Sequence, residues 1–156
     1  MKVRSSICVA SLVSLMLAAP AWAVTIDTTN PPNVNFTASG PTSLTKNGIT
    51  ISCTSTFNGN VNGGSTADIT SASFSGSNIL CYSISAANLP WTLTATSTTT
   101  ATVSGVQVNT PLGNCGPSTI NATWDNSTKK FTFTSQSLSG GCTVSGVLTA
   151  PLIDVY

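Results

Sequence analysis

Gly48-Ile49-Thr50-Ile51-Ser52-Cys53-Thr54 is the stretch from which the rest of the chain can be read. Its alternation sets Ile49, Ile51 and Cys53 on one face and Thr50, Ser52 and Thr54 on the other, the period-two pattern of a half-buried strand. Residues 69–75 and 130–138 obey the same rule, with Phe131 and Phe133 pointing inward. Residues 91–95, 101–108, 119–124 and 142–148 are further candidates, rich in the β-branched residues that suit a pleated surface. Asn62-Gly63-Gly64 and Asp125-Asn126 supply turn chemistry between runs, and no segment keeps a helical period. The expectation is an all-β domain, a β-sandwich or Greek-key barrel of about 8–10 short strands.

Outward from that core, the first residues read as a targeting segment. Lys2 and Arg4 form a positive start, residues 7–19 are apolar, and Ala21-Trp22-Ala23 is a small-x-small cleavage pattern. Cleavage after Ala23 would leave residues 24–156 as a single domain. No later run of about 20 apolar residues offers a transmembrane segment. Cys8 lies inside the apolar stretch, too early for a lipidated cysteine. The expected location is secreted, extracellular or cell-surface, with the periplasm as the other option. Thr29-Asn30-Pro31-Pro32-Asn33 reads as an extended linker.

Charged residues make up 6% of the chain, against roughly 25% in an ordinary soluble domain. Without Lys2 and Arg4, three Lys face four Asp, and there is no Arg, Glu or His. Such a surface cannot neutralise nucleic-acid phosphates or anionic lipid headgroups. It also lacks the charged gatekeepers that keep sheet edges apart.

The cysteines left after cleavage are Cys53, Cys81, Cys115 and Cys142. In an exported chain an even count reads as a disulfide framework, and the absence of C-x-x-C and His, with cysteines about thirty residues apart, argues against a zinc site. An internal likeness bears on the pairing. Ser55-Thr56-Phe57-Asn58 returns as Ser118-Thr119-Ile120-Asn121, and the run from Thr70 to Gly76 returns from Thr134 to Gly140. Two pseudo-repeats, about residues 49–82 and 112–148, would make Cys53–Cys81 and Cys115–Cys142 the economical bridges. Sequence alone leaves the crossed pairings open.

No catalytic constellation emerges. A Ser–His–Asp triad needs a His, and there is no G-x-S-x-G elbow. Asp27, Asp68, Asp125 and Asp154 are the only carboxylates for a glycosidase pair, and Asp125 sits in a turn. Lys46, Lys129 and Lys130 flank turn residues, where solvated lysines are expected. The chain is read as a non-enzyme with no cofactor and no metal. Leu89-Pro90-Trp91 is an apolar corner beside a strand, a candidate hydrophobic contact for a ligand or partner. The plainer reading makes Trp91 a core tryptophan at a strand entrance, and Trp124 likewise.

Several runs carry a family resemblance: Phe36-Thr37-Ala38, Gly40-Pro41-Thr42, Leu44-Thr45-Lys46-Asn47-Gly48 and Cys53-Thr54-Ser55-Thr56-Phe57. Asn88-Leu89-Pro90-Trp91-Thr92, Asn114-Cys115-Gly116-Pro117 and Gly140-Gly141-Cys142-Thr143-Val144 extend it. Together they resemble the secreted protein activators of alkane oxidation, the PraB-like proteins. The resemblance implies an extracellular accessory protein that promotes growth on alkanes without oxidising them, and it brings no catalytic residues. Its partners would be an alkane or lipid interface, or the protein itself. The rival reading is a pilin-like or matrix subunit that assembles by β-strand pairing. In that case Val24-Thr25-Ile26 or Leu152-Ile153-Asp154-Val155-Tyr156 would act as donor or edge strands, rather than as ordinary terminal strands.

Overall fold

The computed structural model describes residues 23–29 and 34–156. The expected signal segment, through Trp22, and the linker residues 30–33 lie outside the described residues. The strands are β1 (Ile26–Thr28), β2 (Asn35–Lys46), β3 (Ile49–Gly63), β4 (Thr66–Ser75), β5 (Ser85–Ala87), β6 (Trp91–Ala95), β7 (Thr100–Asn109), β8 (Cys115–Asp125), β9 (Lys130–Leu138), β10 (Cys142–Thr149) and β11 (Ile153–Val155). A short 3-10 turn, Ile79–Ser83, is the one helical piece among the described residues.

From β2 onward each strand except the short β5 pairs antiparallel with its neighbours in sequence, β4 passing over β5 to pair with β6, and β10 returns to pair with β2. The ring β2-β3-β4-β6-β7-β8-β9-β10 therefore closes into an eight-stranded barrel, with β5 added beside β7. The connectivity of the eight ring strands is up-and-down rather than Greek-key, since with β5 set aside each is followed in the ring by the next in sequence. Nor are all the strands short, since β3 runs for 15 residues. In a closed barrel every strand is paired on both edges, which sustains length that an open sandwich of the same chain would expose.

Period two does what the sequence implied except at Ile49, which opens β3 beside the Asn47-Gly48 turn and is 49% exposed rather than inward with Ile51 and Cys53. Ile51, Cys53, Leu93, Ala101, Val103, Ile120, Ala122, Phe131 and Phe133 point inward and are buried. The outer wall is hydroxyl and amide. Across β2, β3 and β4 the Thr37 hydroxyl donates to Asn58 Oδ1 at 2.8 Å, and Asn58 Nδ2 donates to Ser71 Oγ at 3.1 Å. Ser39 meets Thr56, and Thr45 meets Thr50, in the same way. Apolar inside and polar outside is the inverse of a transmembrane barrel. Among the described residues no helix is long and apolar enough to cross a membrane.

β2 is the strand that the alternation did not announce, because Gly40-Pro41 interrupts it. Proline cannot donate to a ladder. Here the β2–β10 register jumps from Thr42↔Gly146 to Ser39↔Thr149, so Pro41 falls in the gap. A Cβ on Gly40 would lie 2.1 Å from the Val147 carbonyl oxygen. Only glycine lets the two backbones approach at this point of closure.

The two ends of the barrel are finished differently. At one end β1 and β11 pair as a separate ribbon, Ile26 opposite Val155. Ile26 N–H donates to the Gly64 carbonyl in the β3–β4 turn. Val155 N–H donates to Asn126 Oδ1 in the β8–β9 turn on the opposite side of the ring. The ribbon thus spans the opening, with Ile26, Ile153 and Val155 buried beneath it. At the other end Cys53 is bonded to Cys81, which fixes the 3-10 turn to β3, and Cys115 is bonded to Cys142. Hairpins β3–β4 and β8–β9 fall in the two candidate repeat units. The units then diverge, for Cys81 lies on the 3-10 turn and Cys142 on a wall strand.

Two stability predictions follow from closure and bridging. With partners 28 and 27 positions apart in sequence, replacing either pair by alanine should cost roughly 3 kcal/mol in urea unfolding, the two losses adding. Gly40→Ala should cost at least about 2 kcal/mol, read as a lower urea midpoint with an unchanged slope.

Candidate functional site

The inward side chains do not fill the barrel. A cavity of about 100 Å³ runs through it, lined by Ala38, Phe57, Trp91, Ala122, Phe133 and other apolar residues. Thr42 and Ser55 also reach its wall, but their hydroxyls bond each other at 2.6 Å, and Ser55 is fully buried. No buried side-chain polar atom among the described residues lacks a partner. The lumen therefore offers hydrocarbon surface without an anchoring charge, and an empty apolar cavity of this kind stays dry.

Two stretches of wall lack a ladder. β8 and β9 pair only from Thr123↔Thr132 to Asp125↔Lys130, with Asn121 N–H to Gln136 Oε1 and Ser139 N–H to Ser118 Oγ bridging the rest. The other gap lies beside β4. β4 pairs with β6 from Thr66↔Thr94 to Ile69↔Trp91, and there the ladder stops. The rest of β4 pairs only with β3, while β5 pairs only with β7. Between β5 and β6 the chain turns aside at Asn88-Leu89-Pro90, opposite an irregularity in β7 between Val103 and Val106. The seam is closed by side chains instead. Phe57 packs edge-on against Phe74, centroids 6.2 Å apart, and against Trp91 at 5.9 Å. Phe57, Ala72, Phe74, Ala86 and Leu89 pack on the core yet stay half-exposed.

The apolar corner lands on this seam. Trp91 is only 3% exposed, faces the lumen, and donates its indole N–H to the Ala87 carbonyl at 2.8 Å. It therefore presents no surface contact of its own. Leu89 is half-buried and Pro90 exposed at the rim. Trp124, also 3% exposed, stacks at 4.3 Å on Phe131 near the ribbon and does not line the cavity. The sequence did not foresee the seam, which arises from where the partner strand ends. Nor did it foresee Ile79 and Tyr82, 80% and 68% exposed on the 3-10 turn. The terminal strands are already paired with each other.

The charged groups stand away from the lumen. Lys129 and Asp154 form an ion pair beside the ribbon, and Tyr156 donates its hydroxyl to Asp27. That bond, chiefly, raises the Tyr156 pKa. Asp125 accepts from the Ser127 and Thr128 hydroxyls and the backbone N–H of Ser127, which lowers it from 3.8 to about 2. No three His, Cys, Asp or Glu among the described residues cluster as metal ligands.

Such a structure defines a class: a small disulfide-tied, up-and-down β-barrel with an apolar interior and a hydroxyl coat. Its two bridges fit an oxidising compartment outside the cytoplasm. Residues 1–155 match the family described as alkane oxidation protein activator PraA/PraB-like, and the chain belongs to that family. The chain matches no curated protein and no solved structure.

Because Asp125 is depressed in the folded state, its contribution to stability is full above the unfolded value of 3.8 and is lost as pH falls through about 2. Asp125→Asn should flatten the acid limb of a thermal-midpoint profile over that window. It should leave the profile near neutrality unchanged.

Proposed function

We propose that this is an exported, non-catalytic accessory protein that promotes bacterial alkane utilisation by acting where hydrocarbon meets water or the cell surface. The family match carries the reading, since its description is an activator of alkane oxidation. The geometry supports it in two ways. Ile79 and Tyr82 project into solvent from a turn that the Cys53–Cys81 bridge holds in place. Leu89 and Pro90 add an apolar rim on the wall, backed from within by Trp91. Around them lies a coat with almost no charge to hold water at the boundary.

Burying an apolar side chain at an oil surface gains about 1.5–3 kcal/mol relative to leaving it in water. Two or three such residues on a rigid support are enough to bias adsorption.

Pendant-drop tensiometry of the oxidised mature protein against hexadecane tests this. A fall in interfacial tension beyond that of a similar-sized control is expected. Ile79→Ser with Tyr82→Ser should abolish most of the excess while leaving the fold intact. Tension equal to the control would remove the interfacial mechanism.

A further inference from the structure

The seam between β4 and β5 is a stretch of wall closed by apolar side chains alone, and it lies directly over the lumen. We propose that it is an entry port, through which one end of a slender saturated hydrocarbon chain enters the barrel. The inference rests on the alkane-related function above and names the site that takes the hydrocarbon.

Three observations converge. The seam is lined by half-buried apolar side chains, Phe57, Ala72, Phe74, Ala86 and Leu89, whereas the adjoining outer face of β2, β3 and β4 is hydroxyl and amide. Phe57, Phe74 and Trp91 line both the seam and the cavity. Opening the seam costs no ladder hydrogen bond, because none joins β5 to β4 beyond Ile69↔Trp91. Rotation of the Phe57 and Phe74 rings clears the path, on the nanosecond-to-microsecond scale of side-chain and loop motion.

The size of the cavity decides how much enters. At about 100 Å³, it is smaller than the cavity of about 150 Å³ that holds benzene. It admits the end of a linear chain, not a whole long alkane, so the remainder lies along the Leu89-Pro90 rim. The competing occupant is a β-strand from a second copy, since the β4 edge over residues 70–75 lacks a partner on this side. Insertion of a strand requires its two neighbours to stand about 9.5 Å apart. Cα atoms of β4 and β5 approach within 8 Å, which leaves no room for a strand between them. Since no titratable group lines the cavity, the chain is held without charge.

The probe is 1-bromooctane, whose bromine quenches a tryptophan that it touches. In the mature Trp124→Phe protein, Trp91 is the sole reporter. Saturable quenching is expected, and at least about tenfold weaker binding once Ala38→Leu fills the lumen. Trp91→Phe leaves Trp124, outside the cavity, and should show no saturable quenching. If Ala38→Leu fails to fold, Ala122→Leu on β8 fills the same space. Absence of saturable quenching, or quenching indifferent to the filled lumen, overturns the proposal. Concentration-dependent oligomers with Trp91 unquenched assign the seam to a second copy and overturn it too. Tensiometry separates the two readings. Quenching without surface activity keeps the port and removes the interfacial role, whereas surface activity without quenching does the reverse.

Discussion

The pairing of β10 with β2 is the contact on which the rest of the molecule depends. It joins Thr149 to Ser39 and Cys142 to Lys46, so the first and last wall strands meet only when everything between them is in place. Left unpaired, those strands would be two long edges with almost no charge to protect them from pairing elsewhere. Closure removes both edges and excludes water from the inner face in one step. It demands close backbone approach where the strands turn, which explains Gly40, and also Gly146, whose Cβ would lie 2.7 Å from the Phe133 ring and 2.8 Å from a Thr42 methyl. The apolar lumen and the hydroxyl coat are the two faces of that single event.

The ends of the cylinder divide the remaining work by chemistry. The β1–β11 ribbon seals one end noncovalently, with Asn126 linking the Trp124 indole N–H to the β11 backbone. The other end consists mostly of connections, residues 76–84, 110–114 and 139–141. These bury little apolar surface, and there the two disulfides supply the order that packing does not. Lys46 contributes from the β2–β3 turn by donating to the Asn114 carbonyl at 2.8 Å.

Much of this was legible in the sequence, and the exceptions have physical causes. Alternation at residues 48–54, 91–95 and 130–138 identified wall strands because one face is dry and the other wet. β2 escaped because Gly40-Pro41 looks like a breaker until the β10 register shows a gap that excuses the proline. Circular order escaped for a different reason. Period two says which face is buried, not which neighbour is paired, so an up-and-down ring and a Greek key look alike along the chain. The seam is the sharpest case. Residues 66–69 and 70–75 belong to one continuous strand, yet only the first part has a partner in β6. What separates them is the turn at Asn88-Leu89-Pro90, some twenty residues away. The sequence marked that corner as apolar but could not say that Trp91 turns inward while Pro90 faces out.

The coat carries a consequence for where such a protein can work. Long-range forces between exposed charges fade over about 10 Å at 0.1 M salt and over about 3 Å at 1 M. A wall of threonine, serine and asparagine has almost no such forces to lose. Its solubility rests on short-range hydrogen bonding to water, which dissolved electrolyte hardly screens. Fresh water, brackish water and brine should therefore be nearly equivalent surroundings for the folded barrel, a tolerance that a highly charged protein of the same size would not share.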